Sequence, residues 1–461
     1  ESVWAPSPAT AARCEGSPRS AGSAEMKSAK TSLANMHFAR LTLPTDRRDP
    51  RLPALLCAAE LDVLQLDYPR PPCAQAPNDQ FQPLPDFATG FIQQLSDLNA
   101  ALYLNPQFRV FTGAGWGHAY GCVESVAQLL VEGGNGEVVV AAVRGSNLLP
   151  ILEDLQADGV DLSNVQTGDP WEQLAGNVVA ADLQIGAGPL AAAALEGARI
   201  VVAGCYDPGA PLLAAAAAEF GWKWDDFNRQ AAAVVAAHVV HAPLFPGEAA
   251  TTGESLWSPR TARIDADAAT TVSAPPPRTL KAEEIHEWLL AQASASAGSA
   301  DVAWDLSALR CRLTSPRDVE WCDVRGRRSG DRWKLDIRYA CDYSTEFWIA
   351  EGDPAGSRSA PLMPLQQYFL GLGLPDRNVS AEILRNTGET QGGVLRVGCR
   401  SASWARCREF ADVVHGALSR NPHHVWSSPA DVDVNYAVWQ AEIPRDAVDI
   451  AVDARPAREW L

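Results

Sequence analysis

Across residues 52–250 the chain repeatedly changes its hydrophobic period, from short unbroken apolar runs to stretches with an apolar residue every three or four positions. LDVLQLDY (residues 61–68) predicts a short strand ending in Asp67 and Tyr68. DFATGFIQQLSDLNAALYLNP (residues 86–106) has helical spacing, with Pro106 as its stop. FRVFTGAGWGHAYGC reads as a strand and glycine loop, VESVAQLLVEGG as a helix ended by Gly133 and Gly134, and EVVVAAVRG as a strand covered on both faces. LLPILEDLQADG predicts another helix, and NVVAADLQIG and ARIVVAGCYDP two more strands. The latter leads from Ile200–Ala203 through a turn at residues 204–208 into an Ala-rich helix, Phe220-Gly221-Trp222, and a helix ending near His238. This β-α-β rhythm predicts an α/β fold, a mostly parallel sheet with helices on both faces. Side chains at the carboxyl ends of such strands face a crevice, where Tyr206 and Asp207 would stand.

The flanking segments differ. Residues 1–51 begin ESVWAPSPATAARCEGSPRSAGSAEMKS, a low-complexity extension that alone cannot bury enough surface to offset its ordering cost. It opens with Glu1, and its Ser/Ala/Arg content fits the remnant of an organelle-targeting region, although an Ala-rich cloning artefact would give the same letters. Residues 251–300 carry a Pro triplet, a short helix around His286 and an Ala/Ser/Gly stretch, the composition of a linker or excursion. Residues 301–430 predict a smaller α+β domain, with DVEWCDVRGRR, DRWKLDIRYACDY and EFWIAEGD as antiparallel hairpins and a strand and helix after them. Residues 431–461 form an acidic tail in which NYAVWQAEI is a candidate strand.

Apolar residues make up 47% and charged residues 20% of the chain, a globular composition. No apolar run approaches the roughly 18 residues of a membrane span. A net charge of −18 argues against a nucleic-acid partner. Arg325, Arg327 and Arg328 are a local exception, read either as a basic surface turn or as a site for an anionic ligand or acidic partner. The ten cysteines show no C-x-x-C pair and no zinc spacing, which predicts reduced thiols in a reducing intracellular compartment, mitochondrial matrix or cytosol. His423 and His424 are adjacent and make a poor metal pair, so neither metal nor cofactor is expected.

Candidate chemistry gathers at loop tips. Gly113, Gly115, Gly117 and Gly121, with His118 among them, form a glycine-dense loop before a helix. Its amides could cradle a phosphate or carboxylate, or the loop is only a tight turn, since the spacing is not G-x-G-x-x-G. Asp207 is either a catalytic carboxylate or the turn-former and helix cap that Asp-Pro-Gly suggests. His238 and His241 share one face at a helix end, for acid–base work or to complement the helix dipole. Asp225 and Asp226 read as first-turn acids.

Several of these blocks resemble the acyclic terpene utilisation family (AtuA-like proteins). AELDVLQLDY is similar to the family's G-D-L-D-Y-L-x-x-D-Y, and GARIVVAGCYDP to its G-A-D-I-V-I-T-G-R-x-x-D, followed by F-G-W and a helix ending in His238. DVAWDLSALRC and DVRGRRSGDRWKL look like its P-D-V-x-x-D-F and G-x-R-G…L-K segments. The departures fall on loop tips: Ser146 and Asn147 replace two acids, Cys205 an Arg, and Asp182 an Asn. The resemblance implies lyase- or hydratase-like chemistry on CoA esters or hydroxy acids. Loss of groups that move protons or bind carboxylates favours a member with an eroded site, serving as an accessory subunit among other protein subunits. The alternative is a lyase- or hydratase-type enzyme using Asp207 and His238, with a small acyl ligand, a CoA ester for instance, anchored at Gly113, Gly115, Gly117 and His118.

Overall fold

The computed structural model describes residues 34–58, 60–70, 86–174, 177–242, 260–276, 278–295, 298–351, 362–373, 378–385, 393–420, 424–426 and 432–461. The Ser/Ala-rich start of the extension lies outside these residues. In chain order the first part runs β1 (Asn35–Thr42), α1 (Arg51–Ala58), β2 (Val63–Asp67), α2 (Thr89–Leu104), β3 (Arg109–Thr112), α3 (Ala119–Glu132), β4 (Val139–Arg144), α4 (Leu152–Ala157), β5 (Asn177–Gln184), α5 (Ala187–Leu195), β6 (Ile200–Ala203), α6 (Ala210–Phe220) and α7 (Phe227–His241). The remainder runs β7 (Thr261–Asp265), β8 (Thr270–Ser273), α8 (Ala282–Ala295), β9 (Val302–Asp305), β10 (Arg310–Ser315), β11 (Asp318–Cys322), β12 (Arg325–Arg328), β13 (Arg332–Glu351), α9 (Leu362–Leu370), β14 (Asn378–Arg385), β15 (Gly393–Ser401), α10 (Trp404–Ser419), β16 (His424–Trp426), β17 (Asp433–Pro444) and β18 (Ala451–Pro456).

A ten-stranded sheet in the order β10-β11-β8-β7-β1-β2-β3-β6-β4-β18 forms the frame. Only β1, β2, β3, β6 and β4 pair in parallel. Antiparallel strands flank them on both sides, so the sheet is mixed, not mostly parallel as expected. Its parallel centre is where the unbroken apolar runs lie, because both faces there are covered. Leu64, Leu66, Val110, Val140 and Val202 turn to the face packed by α1, α2 and α3. Val63, Phe111, Ala141, Val143 and Val201 turn to the face packed by α5, α6 and α7. Alanines let α7 lie buried on nearly all sides, with Ala231–Ala237 inside.

The second sheet is organised by β13. Its first half pairs with β5 and β17, its second half with β15 and β16. DRWKLDIRYACDY and EFWIAEGD, expected as hairpin strands, instead contribute to one continuous strand of 20 residues, Arg332–Glu351. β5 also departs from expectation: it pairs antiparallel with β13 instead of joining the parallel centre. Its pattern explains this, since Ala181 and Leu183 enter the core while Asp182 and Gln184 face away. A strand with one polar face does not belong where both faces are covered. Residues read as an acidic tail supply β17 to this sheet and β18 to the edge of the first. A separate core of Phe347, Ile349, Leu395, Phe410 and Val414 lies under α9 and α10.

Candidate functional site

The strands of the parallel centre end in loops that meet the polar face of β5 and β13. Two ion pairs occupy this junction. Arg40 of β1 pairs with Asp67 at the end of β2, and Arg70 with Asp182 of β5 at 2.9 Å. Asp67 also accepts from the Tyr206 hydroxyl at 3.1 Å and from Gln65 Nε2 at 3.0 Å. Burial pushes the Asp182 carboxyl upward despite Arg70 and Arg338. The Cys205 thiol, standing where the resembling family has Arg, is raised far out of its usual range by burial and by the surrounding carboxylates.

The crevice directly over the strand ends is filled. Trp116 is buried and donates from Nε1 to the Tyr68 carbonyl at 2.8 Å, and Tyr206 is also buried. The glycine loop is spent on the chain itself. The Gly113 amide donates to Leu66 O (3.2 Å), Gly115 to Ala203 O (2.9 Å) and Gly117 to Asp86 O (3.1 Å). His118 caps α3, its Nδ1 accepting from the Gly121 amide at 2.8 Å. This geometry is that of a tight turn, with the amides an anion would need already donating to carbonyls.

A pocket of about 400 Å³ opens to one side, and here the structure brings Asp207 and His238 to one wall. Asp207 is buried. Its Oδ1 accepts from the Gly209 amide, forming the turn into α6, and its Oδ2 from the Ala300 amide, both at 2.9 Å. The turn-forming role is thus filled, while the carboxylate still faces the pocket. His238 stands near the end of α7 and packs edge-on against Trp304, ring centroids 5.4 Å apart. Burial lowers its pKa from the ordinary histidine value, helped by the positive charges of Arg40 and Lys334 and opposed by Asp207. Burial thus favours the neutral ring, the state a base requires. His241, one turn on, is exposed.

The polar face of the second sheet, which sequence reasoning passed over, also lines the pocket. Asp336 of β13 accepts from Gln184 Nε2 at 2.6 Å and from Gln440 Nε2 at 3.4 Å. Gln166 Nε2 in turn donates to Gln440 Oε1 at 2.6 Å. Lys334 Nζ donates to the Gly298 carbonyl at 3.3 Å. Trp288, Leu289, Val235 and Trp304 supply the apolar lining, and Glu442 a further carboxylate. A signal for this wall existed: in RWKLDIR the charged residues 334, 336 and 338 alternate with Trp333, Leu335 and Ile337. In a strand with partners on both sides, that alternation means one charged face set against other protein groups.

Residues 45–247, which hold Asp207 and His238 but end before Lys334 and Asp336, match the family model of the acyclic terpene utilisation family protein AtuA. The chain carries an AtuA-like domain. No curated protein and no solved structure matches it. Among the described residues, no cluster of His, Cys, Asp and Glu could hold a metal ion, and no helix is long and apolar enough to cross a membrane. No disulfide links any of the described cysteines. Arg325 and Arg328 lie exposed on β12, where Arg328 is paired with Asp331.

Proposed function

We propose that this AtuA-like protein is a lyase- or hydratase-type enzyme in which His238 moves a proton to and from a small acyl substrate. The observation that supports this reading is a pocket lined together by His238, whose neutral form burial favours, the Asp207 carboxylate and Lys334. A base, a negative charge that stabilises the imidazolium once formed, and a cation for developing negative charge are the groups that abstraction of a proton beside a carbonyl needs. The Gly113–Gly117 loop has no part in this scheme. The test is deuterium exchange from D2O into the α-position of isovaleryl-CoA, followed by mass spectrometry. Exchange by the wild-type chain that falls at least 100-fold in H238Q supports the reading, and equal exchange by both overturns it.

The accessory-subunit reading is favoured by a different observation, the closure of the strand-end crevice by Trp116 and Tyr206. It predicts that no acyl-CoA ester stabilises the chain saturably in thermal-shift measurements, whereas an enzyme is stabilised as its site fills.

A further inference from the structure

We infer that the pocket takes an uncharged carbonyl compound with an apolar end, held at its oxygen by Lys334, and turns away the corresponding carboxylate. This rests on reading the pocket as a substrate site. The first argument is the supply of donors. Gln184 and Gln440 each commit one amide N–H to Asp336 and Gln166 commits one to Gln440, which leaves a single neutral N–H on each. The Lys334 ammonium has three N–H groups and uses one of them on Gly298 at 3.3 Å. Among the described lining residues it is the sole lysine or arginine, and burial favours the neutral form of His238.

The second argument is charge. Asp207, Asp336 and Glu442, the last paired with Arg332 at 4.0 Å, line the same pocket, so an entering carboxylate would meet one ammonium and more than one like charge. A neutral carbonyl oxygen meets the same strong donor without that repulsion, and charge that develops on it during reaction is what Lys334 can stabilise. The third argument is shape and polarity. Trp288, Leu289, Val235 and Trp304 give the pocket an apolar side, and a volume of about 400 Å³ suits a short branched chain.

Ligand-observed NMR on the full chain at pH 7.5, with isovaleramide and isovalerate as probes, tests this without requiring turnover. Isovaleramide is expected to bind at least 10-fold tighter than isovalerate. K334M should weaken isovaleramide about 10-fold, K334R should recover part of that loss, and E442Q, on the half-exposed edge of the pocket, should narrow the amide–acid gap about threefold. Isovalerate binding as tightly as the amide, or K334M leaving the amide affinity unchanged, overturns the inference and leaves the proton-transfer reading standing. Selective amide binding together with unchanged exchange in H238Q does the reverse. Failure of both probes to bind overturns the inference and removes the pocket itself as a substrate site.

Discussion

Removing the Asp207 carboxylate would strand two amides, those of Gly209 and Ala300, in a buried setting. D207A is therefore expected to lose about 3 kcal/mol of stability in urea denaturation, and D207N less, because its amide oxygen still accepts one of the two bonds. The same substitution tests the electrostatics of His238. Asp207 opposes the burial that lowers the histidine's pKa, so D207N should move it further down in an NMR titration. An upward move would mean that the carboxylate does not act on the ring. In stability the sign is that of a depressed base: the neutral ring is favoured in the fold, and that contribution is lost as pH falls below the ordinary histidine value. At this scale the sequence was informative where chemistry is local. Asp-Pro-Gly announced a turn and the turn is there. Lys334 and Asp336 escaped because their partners arrive from Gly298, Gln184 and Gln440, residues that no local spacing connects to them.

Helix α5 shows how an element can depend on a residue far along the chain. Gly186, its N-cap, makes no side-chain cap, and the Ala187 amide donates instead to Asp301 Oδ2 at 2.7 Å. A Cβ on Gly186 would collide with that carboxylate, so glycine is what lets Asp301 approach. Burial raises the Asp301 carboxyl to about 6, against the pull of the Ala187 amide. A carboxyl raised in the fold is stabilising while protonated and becomes a cost as pH rises from its unfolded value through 6. D301N keeps an acceptor but cannot ionise. Wild type should accordingly lose up to about 3 kcal/mol relative to D301N between pH 4 and pH 7. Equal pH dependence of the two chains in urea melts would refute the assignment. Gly115 makes a second element-scale test, because its Cβ would lie 2.9 Å from Ala203 O and 3.0 Å from Ala119 Cα, both backbone. G115A should cost about 2 kcal/mol or more by shifting the glycine loop off β6. Hydrophobic period revealed β2, β3, β4 and β6, which need only be apolar on both faces. It misassigned β5, whose alternation suits an antiparallel neighbour in another sheet.

The whole molecule is closed by a segment that sequence alone left unplaced. β18 lies antiparallel on β4, Val452 opposite Val143 and Ala454 opposite Ala141, and so covers the last edge of the parallel centre. Trp460 follows it into the core, packing edge-on to Tyr120 at 5.4 Å and donating from Nε1 to Val140 O at 3.1 Å. The Tyr120 hydroxyl returns a bond to Asp453 Oδ2 at 2.9 Å. Strands that join an α/β centre by antiparallel pairing carry no β-α-β rhythm, and here they come from segments distant along the chain, β7 and β8 among them. That is why β2, β3, β6 and β4 were readable, while β1, read as part of the 1–51 extension, and the antiparallel flanks were not. The consequence is measurable. W460A should destabilise the chain by about 3–5 kcal/mol, the usual cost of truncating a large buried aromatic. Deleting residues 449–461 removes the β4 pairing as well and should abolish the cooperative transition, with amides of β4 losing hydrogen-exchange protection before those of β2 and β3. Retention of β4 protection in the truncated chain would show that the parallel centre stands without its antiparallel flank.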